Sequence, residues 1–133
     1  MQTRPTLREL SRSECLDLLR DAVFGRVGVS VDALPAIFPV FLTVIDDVVV
    51  FRTAPGTKLA AAGGGAIVAV EVDAVDVITG VGWSVLVRGV ARELDAGPRL
   101  EAARVRLGTT WLDGAREHLV EVSTDLVTGR HLG

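Results

Sequence analysis

The sequence has one cysteine, no tyrosine and a single lysine. A lone Cys15 excludes an intrachain disulfide and is the usage expected of a reducing cytoplasm. Its spacing places it on the apolar side of the first predicted helix, as a core thiol. Aromatic residues make up 5%, and the net charge of −3 comes from interspersed signs. Without a basic patch or stacking aromatics, a nucleic-acid partner is not expected. No apolar run reaches the ~18 residues that cross a bilayer, so no membrane partner is expected. The polar start Met1-Gln2-Thr3-Arg4-Pro5 does not read as a signal peptide, and the expected location is cytoplasmic. The two histidines, His118 and His131, have no partner at metal-ligand spacing; His118 reads as strand-edge structure. No nucleophile-elbow motif supports a Ser/His/Asp triad. Gly80-Val81-Gly82 lacks the third glycine and the helix of a dinucleotide fingerprint. Asp73 and Asp76 read as solvated loop carboxylates. No side chain stands out as acid, base or nucleophile, so redox chemistry here would belong to a bound cofactor.

What is plentiful is apolar, much of it valine: 49% hydrophobic residues and a mean hydropathy of +0.42. At 133 residues the chain is expected to be one domain, 1–133, with a sizeable core. Apolar excess without a membrane span implies apolar surface buried between copies.

Ser11-Arg12-Ser13-Glu14 is a capping box. Cys15, Leu18, Leu19 and Ala22 follow at helical spacing, with Gly25 as the expected stop. Strands are expected over 26–31, 36–45, 48–53, 66–72, 83–93 and 118–123. Asp32-Ala33-Leu34-Pro35 and Asp46-Asp47 read as turns. Pro39 marks an edge or a bulge, and Gly89 a sharp bend at a barrel corner. Pro98 opens a helix through Leu107. Residues 73–82 and 108–115 are expected loops, and 125–133 a polar tail. Six short strands at hairpin spacing with peripheral helices give a mainly β fold, a small closed or partly closed barrel.

The chain is organised around Val48-Val49-Val50-Phe51-Arg52-Thr53-Ala54-Pro55-Gly56-Thr57-Lys58-Leu59. A strand ends in a cation and a hydroxyl, Arg52 and Thr53. A Pro-Gly break follows, then Thr57 and Lys58, then a short helix through Ala62 closed by Gly63 to Gly65. A strand end facing a helix start is a natural anion site. Arg52 and Lys58 would add full charge, and Thr53 and Thr57 hydroxyl donors. Thirteen of the 14 basic residues are arginine, so the one lysine in this loop hints that a compact ammonium is wanted there. The alternative is a solvated turn, because Walker spacing is absent: Phe51 stands where a P-loop needs its first glycine.

Phe51 to Leu59 and Gly82-Trp83-Ser84-Val85-Leu86-Val87-Arg88-Gly89 resemble the pyridoxamine 5′-phosphate oxidase-like, flavin-binding split-barrel family. Gly25-Arg26-Val27, Pro39-Val40 and Thr128-Gly129-Arg130 are similar to its small actinobacterial members. The resemblance covers nearly the whole chain. It implies a six-stranded split barrel and a homodimer with two cofactor sites at its interface. It implies FMN or, in some relatives, a deazaflavin coenzyme. By the resemblance, Arg52, Thr53 and Lys58 hold the phosphate, while Val50 and Phe51 flank the isoalloxazine. Trp83 and Ser84 reach the site from the partner chain, with Trp111 nearby; plain packing is the alternative for the two tryptophans.

Two departures stand out. Many relatives carry a polar residue, commonly Asn, after Pro-Val; here it is Phe41, which either faces the cofactor, the reading adopted, or packs in the barrel core. The substrate-binding signature of true pyridoxamine phosphate oxidases is missing, so that activity is not expected. The expectation is a cytoplasmic, homodimeric, FMN-dependent oxidoreductase acting on a small molecule. The alternative is a non-catalytic binding or sequestering protein on the same barrel, with flavin, deazaflavin or no cofactor.

Overall fold

The computed structural model describes residues 6–54, 56–108 and 118–133. In chain order the elements are β1 (Leu7–Glu9), α1 (Arg12–Asp21), β2 (Phe24–Val31), β3 (Leu34–Ile45), β4 (Val48–Thr53) and α2 (Lys58–Ala62). Then come β5 (Gly64–Val75), β6 (Gly82–Glu93), α3 (Pro98–Leu107), β7 (His118–Val122) and β8 (Leu126–Leu132). The strands run in the order β6-β5-β2-β3-β4-β7, and β7 returns to β6, closing a six-stranded antiparallel barrel.

Closure depends on β6 changing partner. Gly82 to Arg88 pair with β8, and Ala91 to Glu93 pair with β7. The change falls at Gly89, where an added Cβ would run into the Ser123 carbonyl. Ser123 pins the corner: its hydroxyl accepts from the Val90 amide at 2.9 Å, and its own amide donates to the Val90 carbonyl. The bend expected at Gly89 is therefore the place where the barrel splits.

Inward positions of the strands are mostly valine, with Leu42 and Phe51 as the large fillers. Helix α1 packs Cys15, Leu16 and Leu19 into this core, and α2 packs Leu59 and Ala62. The capping box of α1 forms as expected. Helix α3 lies outside the barrel, over Ile45, Val50 and Leu119, with Ala103 fully buried between them.

Several expectations need correction. The expected polar tail is a strand, β8, paired with both β6 and β1. Its backbone pairing carries it, with only Gly129 buried, so alternation was too weak to read. The expected loop from 73 shrinks to a turn between β5 and β6, because β5 runs on to Val75. Leu34 and Pro35 belong to β3, leaving a two-residue turn at Asp32-Ala33 with positive φ at both. Helix α1 ends with Ala22 as its cap, not at Gly25. Gly25 lies in β2, where a Cβ would stand 2.6 Å from the Glu71 carbonyl oxygen. Pro39 sits opposite Arg26 in unbroken register. It is the edge alternative that holds, since β3 has no second partner from Leu34 to Phe41 among the described residues.

Candidate functional site

Strands β3 and β4 pair from Leu42–Phe51 to Ile45–Val48 and then part. β3 runs back along β2 while β4 runs on along β7 to Thr53. Continuing the register places Phe41 across from Arg52, both on the outer face. The strands therefore diverge between an aromatic ring and a guanidinium.

Arg52 Nη2 donates to the Gly108 carbonyl at 2.7 Å, at the C-terminal end of α3. Arg106 of α3 donates to the Val44 carbonyl at 2.6 Å, so helix and sheet are tied in both directions. Val50 and Phe51 are fully buried, Val50 beneath α3 and Phe51 in the barrel core. They fix the strand that carries Arg52 and Thr53 and present no side-chain surface.

Thr53 and Thr57 come together, with hydroxyl oxygens 3.1 Å apart. Thr57 donates to the Ala54 carbonyl at 2.8 Å and accepts from the Ala60 amide at 3.1 Å, capping α2. Its single proton is used there, so Thr53 is the donor of the pair. Both hydroxyls thus organise the loop. Arg52 and the exposed Lys58 bring positive charge to the corner.

Phe41 is 47% exposed and meets Phe24 edge to face, with ring centroids 5.4 Å apart. Val40 and Leu42 take the core positions. Alternation passes through Pro39 undisturbed, which rules out the core-facing alternative for Phe41. Trp83 packs half-buried against the core, and Ser84 lies on the outer face of β6, opposite Asp73 and Arg130. In one chain they lie on β6 and Arg52 on β4, with β5, β2 and β3 between them on one side of the barrel and β7 on the other. Trp111 lies outside the described residues.

His118 opens β7, as expected of strand-edge structure, but its surroundings and a second feature, on β5, were not read from the sequence. His118 pairs with Thr53 across the sheet, and its Nε2 is buried without a hydrogen-bond partner among the described residues. Its Nδ1 lies 3.5 Å from Glu93. On the outer face Arg26 stands between Glu71 and Asp73. Burial pushes the Glu71 carboxyl up to about 7, with Asp73 adding to the rise against the pull of Arg26. The signal available was spacing: Glu71 and Asp73 sit two apart on one strand, but Asp73 was assigned to a loop. Asp76 instead caps the β5–β6 turn, accepting from the amides of Ile78 and Thr79. A cavity of about 430 Å³ at the start of α3 is lined by Asp46, Glu93, Asp95 and Glu121, with Arg99 reaching Glu121 at 2.8 Å. Among the described residues no three acidic, histidine or cysteine side chains gather as metal ligands, and no helix is long and apolar enough to cross a membrane.

A closed antiparallel barrel that splits where one strand changes partner, with a basic corner outside it, defines the split-barrel class. Residues 11–131 match the family described as pyridoxamine 5′-phosphate oxidase, and the chain belongs to that family. It is 37% identical over 126 residues to an uncharacterized protein of Mycobacterium tuberculosis, covering 91% of this chain and 82% of that one. It is similar to the solved FAD binding protein from Mycobacterium smegmatis: 36% identity, TM-score 0.74, 95% of this chain and 98% of that one. An FAD-binding protein from Mesorhizobium loti superposes with TM-score 0.85 over 97% and 98% of the chains; at 24% identity it shows the fold alone.

Proposed function

We propose that the chain is a flavin-binding redox protein that works as a homodimer on a small-molecule substrate. The observation that carries this reading is the parting of β3 and β4, with Arg52 on one lip and the half-exposed Phe41 on the other. Arg52 and Lys58 suit the phosphate end of a flavin nucleotide, FMN or FAD. Arg52 brings a planar guanidinium suited to a phosphate, and its bond to the Gly108 carbonyl holds it at the corner. Phe41 and Phe24 form an apolar shelf for a flat ring. Phe41 offers the ring no hydrogen bond; the backbone edge of β3, unpaired there among the described residues, is what its polar rim would meet. A bound flavin would supply hydride transfer. The relative from Mycobacterium smegmatis, named for binding FAD, supports the flavin part of the reading.

The outer face beside this corner leaves Ile37 and Ile67 more than 70% exposed. A second copy over that face would bury them and bring Trp83 and Ser84 to the other chain's corner. A second reading, a non-catalytic flavin carrier, is favoured by Phe41 itself.

Titration with FMN, FAD and riboflavin tests the proposal. Both nucleotides should bind more tightly than riboflavin, and the tighter of the two names the cofactor. Arg52→Ala and Lys58→Ala should each weaken the nucleotides by about ten- to a hundredfold, the ~1.5–3 kcal/mol of a charge-assisted hydrogen bond. Riboflavin should be indifferent to both changes. Equal losses for all three ligands, or no binding of any, would contradict the assignment.

A further inference from the structure

The outer face that α3 leaves bare carries apolar residues and both signs of charge. Phe24, Ile37, Phe41 and Ile67 are exposed on it. Among them, Arg26 Nη1 lies 3.4 Å from Glu71 Oε1 and 3.6 Å from Asp73 Oδ2. Register builds the cluster: Arg26 is directly opposite Glu71, and Asp73 follows two residues on, on the same face. β6 adds Arg88, opposite Ala69, and β8 adds Arg130, opposite Ser84. The other outward residues of β2 near the cluster, Phe24 and Gly28, carry no charge.

A two-fold contact sets one patch against itself, so the patch must complement itself. An apolar surface holding both signs meets that condition, which makes a second copy of this chain the fitting occupant. At contact distance, however, the cluster holds two carboxylates and one guanidinium. In water the surplus negative charge costs little. Buried between two copies it is costly unless something neutralises it.

Resting on the dimeric reading above, we propose that this face is the contact between two copies and that each copy takes up one proton at the Glu71–Asp73 pair as the contact forms. The proton comes from solvent and is held at Glu71, leaving one net negative charge against Arg26. The single chain is already poised for this, since burial and Asp73 raise Glu71 to about 7. Covering the face raises it further. A group whose pKa rises on association favours the associated state below its value in the separate chain. That advantage is lost as the pH rises through the higher value.

Sedimentation of the full chain from roughly pH 6 to 9, which brackets that carboxyl, tests the idea. The dimer Kd should be flat at the acid end and rise above neutrality. The rise should approach tenfold per pH unit for each proton, or about a hundredfold for two. Glu71→Gln should still dimerise, with a Kd that does not follow pH. Dilution calorimetry of the unaltered chain in two buffers of different ionisation heat counts the protons without any variant. A dimer whose affinity ignores pH, or strengthens as pH rises, overturns the proton uptake and leaves the two-copy reading standing. A monomer throughout overturns both.

Discussion

Two stretches of the same outer surface are finished differently, and β3 runs through both. Toward its C-terminal end Thr43 and Ile45 are buried, with Ile45 beneath α3. Toward its start Ile37 is 71% and Phe41 47% exposed. The change falls where β3 leaves β4. On the covered side apolar contact is spent on holding the fold. On the bare side Ile37 and Phe41 stay exposed, with Phe24 meeting the Phe41 ring edge, which is the state of a surface kept for something else.

Matched truncations probe this difference most sharply. Leu119→Ala, under α3, should cost about 2–5 kcal/mol, read as a melting temperature lowered by roughly 2–8 °C per kcal/mol. Ile37→Ala on the bare side should change the melting of the dilute chain by no more than the ~0.5 kcal/mol of an ordinary surface change, while weakening self-association. Similar melting losses for both would erase the distinction between the faces.

A smaller effect is expected at the boundary between them. Phe41→Asn gives up an edge contact with Phe24 worth ~0.5–1.5 kcal/mol. It gains a donor toward the flavin, worth ~0.5–1.5 kcal/mol or about two- to tenfold in affinity. Titration and melting in parallel should show tighter flavin binding at little thermal cost. Unchanged binding with a drop of several degrees would remove Phe41 from the site.

A separate effect falls on the stability of the single chain. Glu71 moves from its ordinary 4.5 to about 7 on folding. Its contribution is fully present below 4.5 and fades as pH rises through about 7, because the folded state there holds a proton the unfolded state has lost. Melts across that window should show Glu71→Gln gaining on the unaltered chain as pH rises. A constant difference would mean that Glu71 titrates normally.

Much of the barrel was legible because its strands alternate around valine and its turns carry their own chemistry. Asp46-Asp47, with positive φ at both, and the corner at Gly89 fell where expected. β8 was not legible, since a strand held by backbone pairing with half-exposed side chains leaves no period to read. At the corner, Arg52, Thr53, Thr57 and Lys58 were picked out by residue type. Their division of labour was hidden, because it took the hydrogen bonds to show the two hydroxyls turned inward on the loop. The Arg26–Glu71–Asp73 cluster was only half legible: the spacing of the two carboxylates was there to read, but not Arg26 opposite them. That placement depends on the register of β2 against β5, which no local pattern encodes.

The central claim is that the bare face holds a flavin and a second copy together. Sedimentation of the chain with FMN or FAD, followed at both the protein and the visible flavin absorbance, tests it in one experiment. The account predicts one boundary at twice the mass of a single chain, carrying one flavin per chain, with the flavin lost from the boundary in Arg52→Ala while the mass is kept. Flavin sedimenting free of the protein, or a flavin-loaded boundary at the mass of one chain, would contradict it.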